Sequence, residues 1–272
     1  MTDLRGKRVV VTGASKGIGA GIAKQFALAG ANVILAARTK DALEQVKQQI
    51  EAANGHAEVQ PVDLSTREAC REFAERCGDI DVLVNNAALT SLNQKMVIDI
   101  DDAYWDESIM MDFVAPITLM QAFCPAMVAK RSGAVINIAS IGGQKAAVPG
   151  AGAYCSLKSA LEQMTRVAAM ELAAYGVRVN AVAPGVVETD GVSQLLASPE
   201  GREALLSPIP MRRAGLPEEI GNVCVFLASD EASYVAGSVW LVDGAVTAGN
   251  FSMAAAPPAP APSTGYQPGP LQ

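Results

Sequence analysis

The 272-residue sequence predicts a single-domain, doubly wound α/β fold, a seven-stranded parallel sheet flanked by helices, on three observations. Short β-branched runs alternate with stretches of helical periodicity, the rhythm of strand, crossover helix and strand. These runs are apolar almost throughout rather than at every second residue. Each strand is therefore buried on both faces, as in a parallel sheet covered by helices and joined by right-handed crossovers. Residues 1 to 250 contain neither a composition break that would mark a linker nor an internal repeat, so one domain is expected over 1–252. Half of the residues are apolar, enough for a chain of this length to bury a sizeable core.

The first strand, "KRVVVT", runs into "TGASKGIG", residues 12–19, and then into the apolar-periodic helix "AGIAKQFALAG". Gly13, Gly17 and Gly19 let the backbone approach a pyrophosphate, whose charge the free N–H groups and positive end of that helix stabilise. The spacing is Gly-x-x-x-Gly-x-Gly rather than the commoner Gly-x-Gly-x-x-Gly. The weight comes from strand, turn and helix arriving in the required order, which makes the fold Rossmann-type. At the end of the second strand, "ANVILAA", an acid would bind the ribose 2′-hydroxyl of NAD. Here that position is Ala37, and no acid follows until Asp41. Arg38 comes next instead, and Lys16 sits in the glycine turn. Two cations where a 2′-phosphate would lie favour NADP(H) over NAD(H); the alternative is a pair of solvated surface cations.

"HAEVQPV" and "IDVLVNN" supply strands three and four. The only histidine, His56, lies in a turn entering strand three, so a zinc cluster or a Ser-His-Asp triad would have to be built around an exposed loop residue. No metal site is expected, and proton transfer falls to tyrosine, lysine, a carboxylate or water. "GAVINIAS", "GVRVNAVAP" and "GSVWLVD" complete the sheet. Between the fifth and sixth strands "AYCSLKSAL", residues 153–161, opens a helix on which Tyr154 and Lys158 share a face at i and i+4. A fixed cation favours the phenolate and draws the tyrosine pKa down from ~10, so the pair can be a reacting one; the spacing alone also fits an exposed surface pair. Residues 253–272 hold six prolines and five alanines and read as an extended tail.

The formal charge of −7 and pI near 4.9 argue against nucleic-acid or anionic-membrane partners, which need a clustered positive field. No stretch approaches the ~18 to 20 apolar residues of a membrane span, and the amino terminus carries no export signal, so a cytoplasmic protein is expected. Five cysteines without Cys-x-x-Cys spacing fit a reducing compartment. Cys155 reads as a small buried helix residue.

"TGASKGIG", "NNAA", "INIAS", "YCSLK" and "VNAVAPGVVET", in that order and at those spacings, resemble the short-chain dehydrogenase/reductase family throughout residues 5 to 245. The resemblance implies that Tyr154 is the general acid or base. It implies that Lys158 lowers the tyrosine pKa and holds the nicotinamide ribose, and that Ser140 hydrogen-bonds the substrate oxygen. It further implies cofactor contacts from Ser15 and Ile18 of the glycine turn, from Asp63 with Leu64 at the adenine, and from Asn85 and Ala87 at the ribose. Pro184, Gly185, Val187 and Thr189 would border the nicotinamide. One departure stands out: where the family usually has asparagine in the long helix before strand five, this chain has Asp112, which could pair as an anion with Lys158 or, protonated, imitate the asparagine.

The expected activity is hydride transfer between NADP(H) and a carbonyl or secondary alcohol of a small, largely uncharged substrate, with residues 141–153 lining the pocket and 190–213 capping it as a mobile lid. Such relatives are often homotetramers or homodimers, and "LEQMTRVAAMELAAY" would supply an apolar contact face. Two alternatives stay open. One is reduction of a 3-oxoacyl thioester on an acidic carrier protein or CoA, for which Lys130 and Arg131 resemble a carrier contact while Tyr175 replaces a second basic group. The other is an NADP(H)-sensing binding protein, which would not need Ser140, Tyr154 and Lys158 together.

Overall fold

The structure, a computed structural model, describes residues 2–89, 95–146 and 149–249. The seven apolar runs become seven strands: β1 (Arg8–Thr12), β2 (Asn32–Ala37), β3 (His56–Pro61), β4 (Val82–Asn85), β5 (Gly133–Ile138), β6 (Val177–Pro184) and β7 (Val239–Val242). They form one sheet in the order β3-β2-β1-β4-β5-β6-β7, and every neighbouring pair is parallel. Both faces are covered, which explains the unbroken apolar runs. Val9 and Val11 of β1 point to one side, into a core shared with α1 (Gly17–Leu28), α2 (Lys40–Ala52) and α9 (Pro217–Ala228). Val10 points to the other, where Phe73 of α3 (Arg67–Cys77), Leu119 and Phe123 of α5 (Ala115–Ala129) and Ala168 of α6 (Gly152–Leu172) pack.

The order reverses between β1 and β4, leaving a crevice at their carboxyl ends, the usual ligand position of such sheets. The glycine turn leaves β1 there, Asn86 and Ala87 leave β4, and the Ser140 turn leaves β5.

Several expectations need correction. The run from α4 (Asp102–Ile109) through one wide π turn (Met110–Val114) into α5 is a continuous 28-residue helix, long and apolar enough to cross a bilayer by length and composition. Its apolar side chains Leu119, Phe123 and Met127 are buried against α3 and the sheet, so the apolar content serves the protein core. Lys130 and Arg131 follow α5, which runs back along the sheet, and therefore lie where the strands begin rather than at a site mouth in this chain. Lys130 Nζ donates to Ile80 O at 2.6 Å and to Asp81 Oδ1 at 2.7 Å, and Arg131 Nη2 donates to Ala174 O at 3.0 Å, beside Tyr175. Cys155 is half-buried rather than buried.

The proposed cap is two short helices, α7 (Asp190–Leu196) and α8 (Pro199–Leu206), and behind them Arg213 makes a two-pronged ion pair with Glu219 at 2.8 and 2.7 Å. The Pro/Ala-rich tail, and residues 147 and 148 of the expected pocket wall, lie outside the described residues.

Candidate active site

The glycine turn is built for close approach. Gly13 and Gly17 adopt φ of +66° and +54°, a left-handed conformation that a side chain would strain. A Cβ on Gly19 would stand 2.2 Å from Gly13 O and 2.5 Å from Asn86 Nδ2, so only glycine fits there. Asn86 braces the turn from β4: its Nδ2 donates to Thr12 O at 2.8 Å, while the Asn86 and Ala87 amides donate to Thr12 Oγ1 at 2.9 and 3.0 Å. Neither Asn86 nor Thr12 is named as a site residue from the sequence, although Asn86 sits inside "NNAA" and Thr12 opens "TGASKGIG". Its signal is an amide directly across from a glycine turn.

The first turn of α1, led by Ser15, Lys16, Gly17 and Ile18, opens toward this crevice with no acidic residue. Lys16 and Arg38 are both exposed, and neither is in an ion pair among the described residues. Thr189 reaches the same turn: a Cβ on Gly17 would lie 3.1 Å from Thr189 Cγ2. Pro184 ends β6, Gly185 N donates to Val242 O at 3.0 Å, and Val187 is buried and bridged to Gly215. Asp63 is exposed just beyond β3, accepting from Ser65 N at 3.1 Å, and Leu64 beside it is buried. Asn85 ends β4. Its side chain turns into the interior, with Nδ2 donating to Asn137 Oδ1 at 2.9 Å; Asn137 in turn donates to Thr165 Oγ1 at 2.9 Å.

Tyr154 and Lys158 stand one turn apart near the start of α6, and the Lys158 ammonium lies 5.6 Å from the centre of the Tyr154 ring. Lys158 is buried; its Nζ donates to Ile138 O at 3.2 Å and lies 3.3 Å from Asp112 Oδ1. The latter is an ion-pair separation, and both Asp112 oxygens are buried without a well-aligned hydrogen-bond partner among the described residues. The π turn holds Asp112 inward at 1% exposure; widened turns of this kind recur at functional sites. Burial pushes the Asp112 carboxyl above the usual carboxylate range, and the opposing pull of Lys158 and of the Leu89 amide is smaller. Lys158 lowers this pKa as a neighbouring cation does, but desolvation by burial outweighs it.

Ser140 heads a short helical turn (Ile141–Gly143), its Oγ accepting from Gly142 N at 3.0 Å. A Cβ on Gly142 would stand 3.4 Å from Ser140 Oγ, 3.7 Å from Tyr154 Cε1 and 3.0 Å from Cys155 Sγ, so these three groups crowd around one point. Among the described residues no group of three or more His, Cys, Asp or Glu side chains is placed to hold a metal.

A family model described as Enoyl-(Acyl carrier protein) reductase matches residues 13–247. The 3-oxoacyl-[acyl-carrier-protein] reductase of Thermotoga maritima is 37% identical over 246 residues, covering 89% of this chain and 98% of that protein. The L-tagatose-forming galactitol 2-dehydrogenase of Cereibacter sphaeroides is 38% identical over 246 residues, covering 90% and 96%. Among solved structures, one from Beutenbergia cavernae, described as an NAD(P)-dependent gluconate 5-dehydrogenase with NADP bound at low occupancy, superposes with a TM-score of 0.85 at 38% identity, covering 91% of this chain and 99% of that one.

Proposed function

As a member of the short-chain dehydrogenase/reductase family, the chain is an oxidoreductase, and we propose that it moves a hydride between NADP(H) and a carbonyl or secondary alcohol of a small, largely uncharged substrate. The observation that carries this reading is the convergence of Ser140, Tyr154 and Lys158 at the carboxyl edge of the sheet that also bears the glycine turn.

The crevice fits the cofactor. Gly13, Gly17 and Gly19 leave a cradle that side chains would fill, backbed by the N–H groups of α1 for a pyrophosphate, while Lys16 and Arg38 offer cations for a 2′-phosphate. Asp63 and Leu64 would meet the adenine, Ala87 the ribose, and Pro184, Gly185, Val187 and Thr189 the nicotinamide. When bound, NADP(H) supplies or accepts the hydride. Tyr154 gives its hydroxyl proton to the carbonyl oxygen during reduction and takes it back during oxidation. Ser140 Oγ–H holds that oxygen in place, and the buried Lys158 ammonium supports the phenolate left behind. Asp112, 3.3 Å from Lys158, modulates how much positive charge the lysine offers.

Reduction of a 3-oxoacyl thioester is the second reading, favoured by the Thermotoga maritima relative. The position of Lys130, bound to Asp81 at the amino-terminal end of the strands, weakens its carrier-protein version. The five cysteines are free thiols, which supports a cytoplasmic location, and a homotetramer or homodimer without nucleic-acid or membrane partners accords with the acidic composition and the apolar outer face of α6.

Following NADPH absorbance against ketones, aldehydes and 3-oxoacyl thioesters tests the reading. Oxidation of NADPH with at least one simple ketone or aldehyde supports it. Turnover confined to thioesters selects the second reading, and binding of NADPH without turnover of any carbonyl overturns both.

A further inference from the structure

Glu162 lies two helical turns beyond Tyr154 on the same face of α6 and is 3% exposed. Its Oε2 accepts from Gln144 Nε2, and Arg166 Nη2 is 3.9 Å from the same oxygen. Its Oε1 is buried with no hydrogen-bond partner among the described residues. The backbone of the Ser140 turn lies directly over this carboxylate: a Cβ on Gly143 would stand 2.7 Å from Oε1. One turn earlier on α6, Ser159 Oγ donates to Gly143 O at 2.6 Å. The turn that begins with Ser140 is thus tied at its far end to the helix carrying Tyr154 and Lys158, once through Ser159 and once through Glu162 with Gln144.

A half-satisfied buried carboxylate is costly, and an apolar residue of similar volume is commonly neutral or stabilising at such a position. The cost is offset here by what the contact fixes. Ser140 Oγ is held by the Gly142 amide, and the Gly143 and Gln144 amides close the turn on Ser140 O and Ile141 O at 2.8 and 3.0 Å. Any slide of Gln144 along α6 therefore moves Ser140 relative to the Tyr154 ring.

We propose that Glu162 is a positioning residue of the active site: by anchoring Gln144 it sets the Ser140 turn in register with Tyr154. This rests on the reading of Ser140 and Tyr154 as the groups that contact the reacting carbonyl.

The test compares Glu162→Leu and Gln144→Ala, each alone and combined with Ser140→Ala. Each single variant is expected to lower kcat for carbonyl reduction by ~10-fold, with the KM for NADPH unchanged, as for a sub-ångström misplacement of a reacting group. Glu162→Leu is expected to melt no lower than the parent, since it removes a buried, poorly paired charge. In the Ser140→Ala background the further loss should shrink to less than ~2-fold, because residues acting as a unit are not additive. Independently of turnover, deuterium uptake by the 140–146 segment should quicken by ~10-fold in both variants while the strand amides are unaffected. Additive losses, a fall in Tm that parallels the fall in kcat, or unchanged uptake over 140–146 would overturn the proposal. If the parent protein reduces no carbonyl compound, the functional reading fails on its own, and the uptake comparison still decides whether Glu162 holds the turn.

Discussion

Asp112 and Lys158 place a carboxylate and an ammonium 3.3 Å apart beneath the tyrosine proposed to move the proton, so the charge state of one residue is felt two residues away. An ionised Asp112 offsets part of the lysine's positive charge and disfavours the phenolate; a neutral amide does not. Asp112→Asn is therefore expected to move the rising limb of the pH profile for alcohol oxidation to lower pH while keeping the optimum rate within ~10-fold. Recording that profile for both proteins checks it, and superimposable limbs would mean that Asp112 carries no charge while the limb rises, as its raised pKa would permit. For Tyr154→Phe the expectation is a loss of ~10²-fold or more in turnover with NADPH affinity little changed, whereas Lys158→Ala should damage both, measured by steady-state kinetics and fluorescence titration. Arg38 and Lys16 are exposed cations outside any ion pair among the described residues, available to a phosphate. NADPH should bind at least ~30-fold more tightly than NADH, on charge-assisted hydrogen bonds of about 1.5 to 3 kcal/mol, and Arg38→Asp should narrow or reverse the ratio. Equal affinities in the unmutated protein would remove the assignment.

The strands were legible at the level of elements because apolar β-branched runs report burial on two faces, a property each segment carries by itself. The glycine turn was legible for a similar reason: its φ values and its fit under Asn86 demand glycine locally. What stayed hidden depends on partners distant in sequence. The π turn around Asp112 has no composition signal, since Met110–Val114 reads as ordinary helix. The inward turn of Asn85 depends on Asn137 and Thr165, and the position of Lys130 at the amino-terminal end of the strands depends on the direction of α5. Glu162 resembles any polar helix residue until Gln144 is placed above it. The turn also yields a prediction at this scale. Gly19→Ala would drive a Cβ into Gly13 O at 2.2 Å, contact with backbone that has no room to yield, so the cradle itself must shift. NADPH affinity is expected to fall at least ~10-fold and stability by about 1 to 3 kcal/mol, as in overpacked interiors. Titration and thermal melting would show it, and an unchanged affinity would mean that the turn does not hold the pyrophosphate.

The whole sheet has two edges, and they are treated differently. At the β3 edge Glu58 and Pro61 are exposed, a charge and a proline of the kind that discourage further pairing. The opposite edge, β7, is the four apolar residues Val239–Val242, with Leu241 46% exposed and nothing beyond it among the described residues. A second apolar area lies on the outside of α6, where Val167 is 39% and Met170 84% exposed on a helix whose inner face is fully packed. One self-complementary patch makes a dimer; two distinct ones, each related to its copy by a twofold axis, make a closed tetramer. The chain is thus expected to be a tetramer in which the α6 faces form one contact and the β7 edges the other. Met170→Arg puts a charge at the centre of the first contact and leaves the second intact, so light scattering should show tetramers replaced by dimers, with the fold retained by circular dichroism. Tyr154 and Lys158 lie near the opposite end of the same helix, so a dimer that retains NADPH binding would show that the site is complete within one chain or across the β7 contact. A monomeric parent protein, or a variant whose mass does not change, would remove α6 as the contact face.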